Sequence, residues 1–366
     1  MIRRRIVLLV GSIVILSALV TGGSPFVALA RSVDEGLPTE LADQEFWKIV
    51  GDFSEANGSF RSDNLLSNES WLQYVIPDLM KAVKPGRVYL GVGPEQNFTY
   101  IAAVKPAMAF IIDIRRGNLD LQLLYKALFE LSGDRAEFIS KLFARKRPEG
   151  LTAASSIDEI FAAYADLEKS EDLYRENVKA VEDLLTRKHG FAMSADDISG
   201  LEYVYNAFTT FGPRISYSST GGFGGFGRMR QPTYSELMMA KDGDGTMRGY
   251  LVSEENYERL RQLERRNLIV PLVGNFAGPR AIRSVGQYLK DRDALVSAFY
   301  LSNVEMYLMQ DGLWGAFCAN VATLPLDETS TFIRSLRGGR YGLGIGLNSE
   351  LGAMATEVKT CPAGLR

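Results

Sequence analysis

Residues 88–113, VYLGVGPEQNFTYIAAVKPAMAFIID, carry the signature of an α/β fold. An apolar run, Val88–Leu90, meets Gly91-Val92-Gly93; a short amphipathic segment follows, and a second apolar run, Ala109–Ile112, ends in Asp113. Strand, glycine turn, helix and strand with a terminal acid is the way α/β folds build a nucleotide site. The glycines let backbone approach a ligand that a Cβ would exclude. An acid about 20 residues beyond the turn is placed to accept from two ribose hydroxyls. Pro94-Glu95 departs from the dinucleotide fingerprint. It stands where a third glycine and an open helix N-terminus would cradle a pyrophosphate, and a carboxylate there repels phosphate. A ligand with a ribose and no phosphate fits better, which disfavours NAD-type redox chemistry.

This stretch resembles motif I and the acidic motif II of class I S-adenosylmethionine-dependent methyltransferases. The wording LGVGPEQNFTYIAA, FIIDIRRGNLDLQLLYKALFELS, VPLVGNFAGPRAIRSVGQYLK and FYLSNVEMYL, spread over roughly residues 45–340, resembles an uncharacterised family of bacterial proteins with that Rossmann-like fold. The resemblance implies a fold and a ligand class rather than a reaction. The cofactor it implies is S-adenosylmethionine or a related nucleoside, with Gly91, Gly93, Glu95, Asn97, Asp113 and Arg115 as candidate cofactor-binding residues.

Composition narrows the alternatives. A chain of 366 residues with 46% hydrophobic content can bury a large core as one enlarged domain or two. A net charge of −3 gives no reason to expect nucleic acid as a partner. One histidine, His189, excludes multi-histidine metal sites, and Thr186-Arg187-Lys188-His189-Gly190 reads as a basic helix end with a glycine cap. Two cysteines, Cys318 and Cys361, cannot build a thiolate zinc site. They read as a free pair, Cys318 buried in the apolar stretch Trp314–Val321 and Cys361 exposed in the tail, with a bridge as the alternative if the domain is exported.

Arg3-Arg4-Arg5, an apolar run from Ile6 to about Val20, and Ala28-Leu29-Ala30 define a secretory signal peptide over residues 1–30 or an uncleaved N-terminal anchor. Either places the domain outside the cytoplasm, periplasmic or membrane-anchored, with membrane contact only where the N-terminal segment stays uncleaved. S-adenosylmethionine is made in the cytoplasm, so an exported enzyme either folds around its ligand first or binds something else. The three arginines loosely resemble the twin-arginine signal used by prefolded proteins.

Residues 31–44 read as a linker, and 45–84 as a mainly helical cap whose polar stretch Ser62–Glu69 either closes over the ligand or caps a helix. A mostly helical insertion follows over 117–268. Within it, the glycine-rich loop 218–227 reads equally as a lid carrying Phe223 and Phe226 or as a surface loop. Asp242-Gly243-Asp244-Gly245 reads as a tight turn, because Met247 and Ser253 occupy positions a calcium loop reserves for glycine and glutamate. Leu268–Asn275 and Ala294–Leu301 read as further strands. Their ends place Asn275, Asn303 and Glu305 on the rim where α/β sites form, so Asn303 and Glu305 are the candidate catalytic pair, with helix capping as the other reading. Residues 341–366 read as a flexible tail.

The expectation is an α/β, Rossmann-like methyltransferase-type sheet with an N-terminal helical cap and a large helical insertion. The expected function is binding of S-adenosylmethionine or a related nucleoside, with methyl transfer to an acceptor of unknown identity. The competing reading is a non-catalytic exported envelope or binding protein on a degenerate version of that fold.

Overall fold

The computed structural model describes residues 36–221, 231–343 and 346–361. Residues 1–30, read as a signal peptide or anchor, and the aromatic pair Phe223 and Phe226 lie outside them.

Three strands with apolar runs form one half of the sheet: β1 (Val88–Gly91), β2 (Met108–Asp113) and β3 (Ile269–Val273), every residue of each buried. Continuous rather than alternating hydrophobicity marks strands covered on both faces, which is the condition of a parallel sheet. With β4 (Val296–Ser302), β5 (Thr331–Arg337) and β6 (Leu347–Ala353) they make one six-stranded sheet in the order β3-β2-β1-β4-β5-β6. The first five are parallel and β6 is antiparallel. The chain is therefore an α/β protein with a mostly parallel mixed sheet.

Helices α1 (Asp43–Phe53) and α2 (Ile76–Ala82) precede β1, and α3 (Gln96–Val104) is the crossover to β2. Between β2 and β3 stand α4 (Arg116–Leu131), α5 (Arg135–Phe143), α6 (Ile157–Tyr164), α7 (Glu171–Glu182), α8 (Ala195–Phe211), α9 (Tyr234–Met239) and α10 (Glu254–Arg265). Their starts follow from capping chemistry: Ser156, Ser194 and Thr233 each close a capping box with an acid three residues on. Rings bind this layer to α3, with Phe98 edge-on to Tyr125 and Phe129 of α4 and to Tyr250. Helices α11 (Ala281–Lys290), α12 (Val304–Gln310), α13 (Trp314–Val321) and α14 (Met354–Thr360) complete the chain. No helix among the described residues is long and apolar enough to cross a membrane.

His189 does end a helix, as its sequence suggests, following the π-helical turn Asp183–Lys188, with Gly190 in the left-handed region at φ 68°. Its ring also bridges Asp43 (2.7 Å) and Glu130 (3.0 Å), tying α1 to α4. The Asp242 turn is closed by its own carboxylate, which accepts from Asp244 N, Thr246 N and Arg248 Nε.

Two expectations for the C-terminus are corrected. Residues 347–360, read as part of a flexible tail, form β6 and α14, and β6 pairs with β5 from Thr331↔Ala353 to Arg337↔Leu347. An unpaired β5 would leave a row of backbone donors and acceptors open, and the returning chain satisfies them. The strand is hard to see in the sequence because only a few of its seven residues are buried. The cysteines, read as a free pair, form a disulfide between α13 and the end of α14, their Cα atoms 6.1 Å apart. That separation lies in the range a bridge requires, and the hairpin, not the length of the tail, sets it.

Candidate functional site

The order of an open parallel sheet reverses where neighbouring strands send their connections to opposite faces, and a crevice opens there beyond the strands' carboxyl ends. In this sheet that point lies between β1 and β4. A cleft of about 740 Å³ occupies it, lined by Val92 and Gly93 after β1, Asp113–Arg115 at the end of β2, Gly274–Phe276 after β3, Ser302–Val304 at the end of β4, and Arg337 and Gly338 at the end of β5. Residues between Ser59 and Trp71, ahead of β1, supply much of the remaining wall.

The glycine turn is fastened from within. Asn97, on the first turn of α3, donates through Nδ2 to the carbonyls of Val92 (3.0 Å), Gly93 (3.2 Å) and Pro94 (2.8 Å), while its Oδ1 accepts from the Tyr89 hydroxyl at 2.9 Å. A Cβ on Gly91 would collide with that carboxamide. Gly91 is thus glycine to admit Asn97, and both stand behind the turn rather than lining the cleft. Gly93 does line it, at φ 81°, with its carbonyl also held by Gln122 Nε2 at 3.0 Å. Glu95 is fully buried against the cap segment, its Oε1 accepting from Ser67 N at 3.3 Å. Burial pushes its carboxyl up to about 8, and the charge of Glu69 adds to the rise.

Asp113 ends β2 in the cleft wall, 4% exposed. Its carboxylate accepts from Arg115 N at 2.9 Å, and Arg115 Nη2 stands 3.3 Å away. Arg115 also donates to the Asp63 carbonyl, linking the cap segment to the end of β2. Asn303 lines the cleft as the N-cap residue of α12 without a side-chain cap bond. Glu305 turns elsewhere, accepting from Arg334 Nε at 2.6 Å. Burial raises its carboxyl against the opposing effect of Arg334. Of the predicted residues, then, the fold brings Gly93, Asp113, Arg115 and Asn303 to one cleft and leaves Gly91, Glu95, Asn97 and Glu305 in its supporting frame.

Four residues missing from the sequence-based set form a hydrogen-bonded polar cluster at the cleft. Glu69, 3% exposed, accepts at Oε1 from the hydroxyls of Tyr300 (2.7 Å) and Ser302 (2.6 Å). The Tyr300 hydroxyl accepts in turn from Gln96 Nε2 at 3.1 Å. Burial raises the Glu69 carboxyl despite these bonds. Ser302 sits at φ 51°, a left-handed conformation disfavoured for a serine and concentrated at functional sites. The sequence signals were weak: Glu69 ends a polar stretch, and Tyr300 and Ser302 fall at a strand end.

The family described as a domain of unknown function (DUF7790) matches residues 65–197 and 226–351, together well over half of the chain. The chain belongs to the DUF7790 family. The matched segments include Glu69, the glycine turn, Asp113, Ser302 and Asn303, so the DUF7790 region contains all five parallel strands that frame the cleft. No curated protein matches the chain.

Proposed function

We propose that the cleft binds S-adenosylmethionine or a related nucleoside, with methyl transfer to an acceptor as the reaction it would serve. One observation carries the reading: the Gly93 turn and the Asp113 carboxyl lie at the ends of adjacent parallel strands and line the same cleft at the sheet's switch point. Buried Glu95 and the proline before it leave no phosphate cradle at the head of α3, which supports a ligand without a pyrophosphate. Asp113 would hold the ribose, and Gly93 would border the chain linking ribose to sulfur. When bound, S-adenosylmethionine supplies a methyl group on a cationic sulfur. In-line positioning is the protein's main contribution to such a transfer, so no triad-like arrangement is needed.

A second reading, an exported binding protein on a degenerate methyltransferase-like fold, is favoured by a different observation: Asp113 already receives bonds from Arg115. The Cys318–Cys361 bridge supports export in both readings, because disulfides persist in oxidising compartments. Calorimetry with S-adenosylmethionine and S-adenosylhomocysteine separates them: heat and a saturable isotherm support the first, and silence with both ligands removes it.

A further inference from the structure

Glu69 and Gln96 line the cleft, are each 3% exposed, and each keep one oxygen, Glu69 Oε2 and Gln96 Oε1, without a hydrogen-bond partner among the described residues. Buried acceptors are rarely left so, and each has the desolvation penalty of an unmade bond. Beneath them Glu95 is a second buried carboxyl with an unpartnered Oε2. No lysine or arginine among the described residues comes within ion-pair distance of Glu69 or Glu95, in contrast to Glu305 with Arg334 and Glu130 with Lys126. The side chains that do reach Glu69, from Tyr300 and Ser302 on β4 with Ser335 on β5 nearby, are hydroxyls, and they stabilise a carboxylate without neutralising it. A buried carboxyl without a counter-cation either keeps its proton, as burial makes Glu95 do at neutral pH, or takes a cation that a ligand brings.

We infer that the Glu69–Gln96 floor of the cleft is a receptor for a protonated primary amine. The requirement is for positive charge together with two or more N–H donors. A sulfonium has the charge and no donor, a hydroxyl has a donor and no charge, and an ammonium has both. The amine belongs either to an amino-acid arm on the nucleoside or to a separate small amine. The inference rests on the cleft being a ligand site and, in its first form, on the nucleoside reading.

The test uses the full chain and its Glu69→Gln variant, which keeps the shape and an acceptor oxygen for Tyr300 and Ser302. Two probe pairs distinguish the sources: S-adenosylhomocysteine against 5′-methylthioadenosine, which lacks the amino-acid arm, by calorimetry; and n-butylammonium chloride against n-butanol, at matched ionic strength, by thermal denaturation. The expected result is a preference for the amine in at least one pair, about tenfold or more in affinity for the nucleosides, reduced to within about twofold in Glu69→Gln. The unliganded variant should also melt higher than the parent at alkaline pH, where the parent's buried carboxyl ionises. Equal binding of both nucleosides with no amine effect overturns the inference and leaves the nucleoside reading standing. No nucleoside binding with a Glu69-dependent butylammonium effect does the reverse. An amine preference that survives Glu69→Gln also overturns it. Should that variant not fold, Gln96→Met removes the other acceptor and is read against the same preference.

Discussion

Glu305 and Arg334 form a buried ion pair that joins the start of α12 to the middle of β5, with Arg334 Nε 2.6 Å from Glu305 Oε2 and both side chains less than a tenth exposed. The same guanidinium reaches Glu357 on α14, so one arginine clamps the segment after β4 to the C-terminal helix. The carboxylate that strand position suggested as an acceptor-handling group is occupied in holding the sheet's edge together.

Glu305→Ala should therefore act on stability first. Removing one partner of a buried pair leaves the other charge undercompensated, a loss of about 3–5 kcal/mol when nothing else offsets it. Glu357 remains on Arg334, so the lower end is expected. Urea denaturation should show the drop, while the affinity for whichever nucleoside the parent binds should be unchanged.

Asp113→Ala probes the ligand reading. If the carboxylate takes the ribose hydroxyls, calorimetry should show affinity falling by about 1.5–3 kcal/mol, the range for hydrogen bonds to a charged group. An unchanged isotherm would place the nucleoside elsewhere.

The disulfide should contribute strongly to stability. It closes a loop between residues 43 apart in sequence, and loop entropy alone puts its contribution at about 4 kcal/mol, less any compensating structure in the unfolded chain. Thiol counting on denatured, unreduced protein should find no reactive thiol, and Cys361→Ser should lower the urea midpoint without changing the fold.

The buried carboxyls set a pH dependence. Glu95 titrates near 8 when folded and near its ordinary 4.5 when unfolded, so between these values the folded chain holds a proton that the unfolded chain has released. By linkage, its contribution is fully present below about 4.5 and is lost as pH rises toward about 8. Glu130 runs the other way, held down to about 2 by His189 and Lys126 despite its burial, so its contribution is lost as pH falls from about 4.5 toward 2. Glu95→Gln should flatten the decline on the alkaline side and leave the acid side unchanged, as read from denaturation midpoints across pH.

Export predicts a processed chain. Protein recovered from its native host should begin at or near Arg31 by mass spectrometry. Intact Met1 on a cytoplasmic protein would overturn the export proposal and remove the difficulty of cofactor supply.

The central strands and the glycine turn are legible in the sequence because their signals are local. Continuous apolar runs, a GxG turn and a terminal acid declare β1, β2 and the connection between them, and the same logic locates β3 and β4. Gly93, Asp113 and Asn303 follow as cleft residues because strand ends in a parallel sheet always converge there. By contrast, β6 buries few of its residues, and its pairing with β5 depends on an edge that exists only once the sheet has formed.

What tertiary structure alone decided is the use of each polar side chain. Glu69 meets Tyr300 across 231 positions and Arg334 meets Glu305 across 29, and nothing in either neighbourhood indicates the partner. The sequence by itself determined that an α/β sheet would present a glycine turn and an acid at one rim. Folding determined that Gly91 makes room for Asn97, that Glu305 belongs to an arginine, and that Glu69 lines the cleft with no lysine or arginine of the described residues paired to it. The physical reason is range: backbone propensity and hydrophobic period act over a few residues, whereas the environment of a buried charge is set by whatever the packed chain brings within a few ångströms of it.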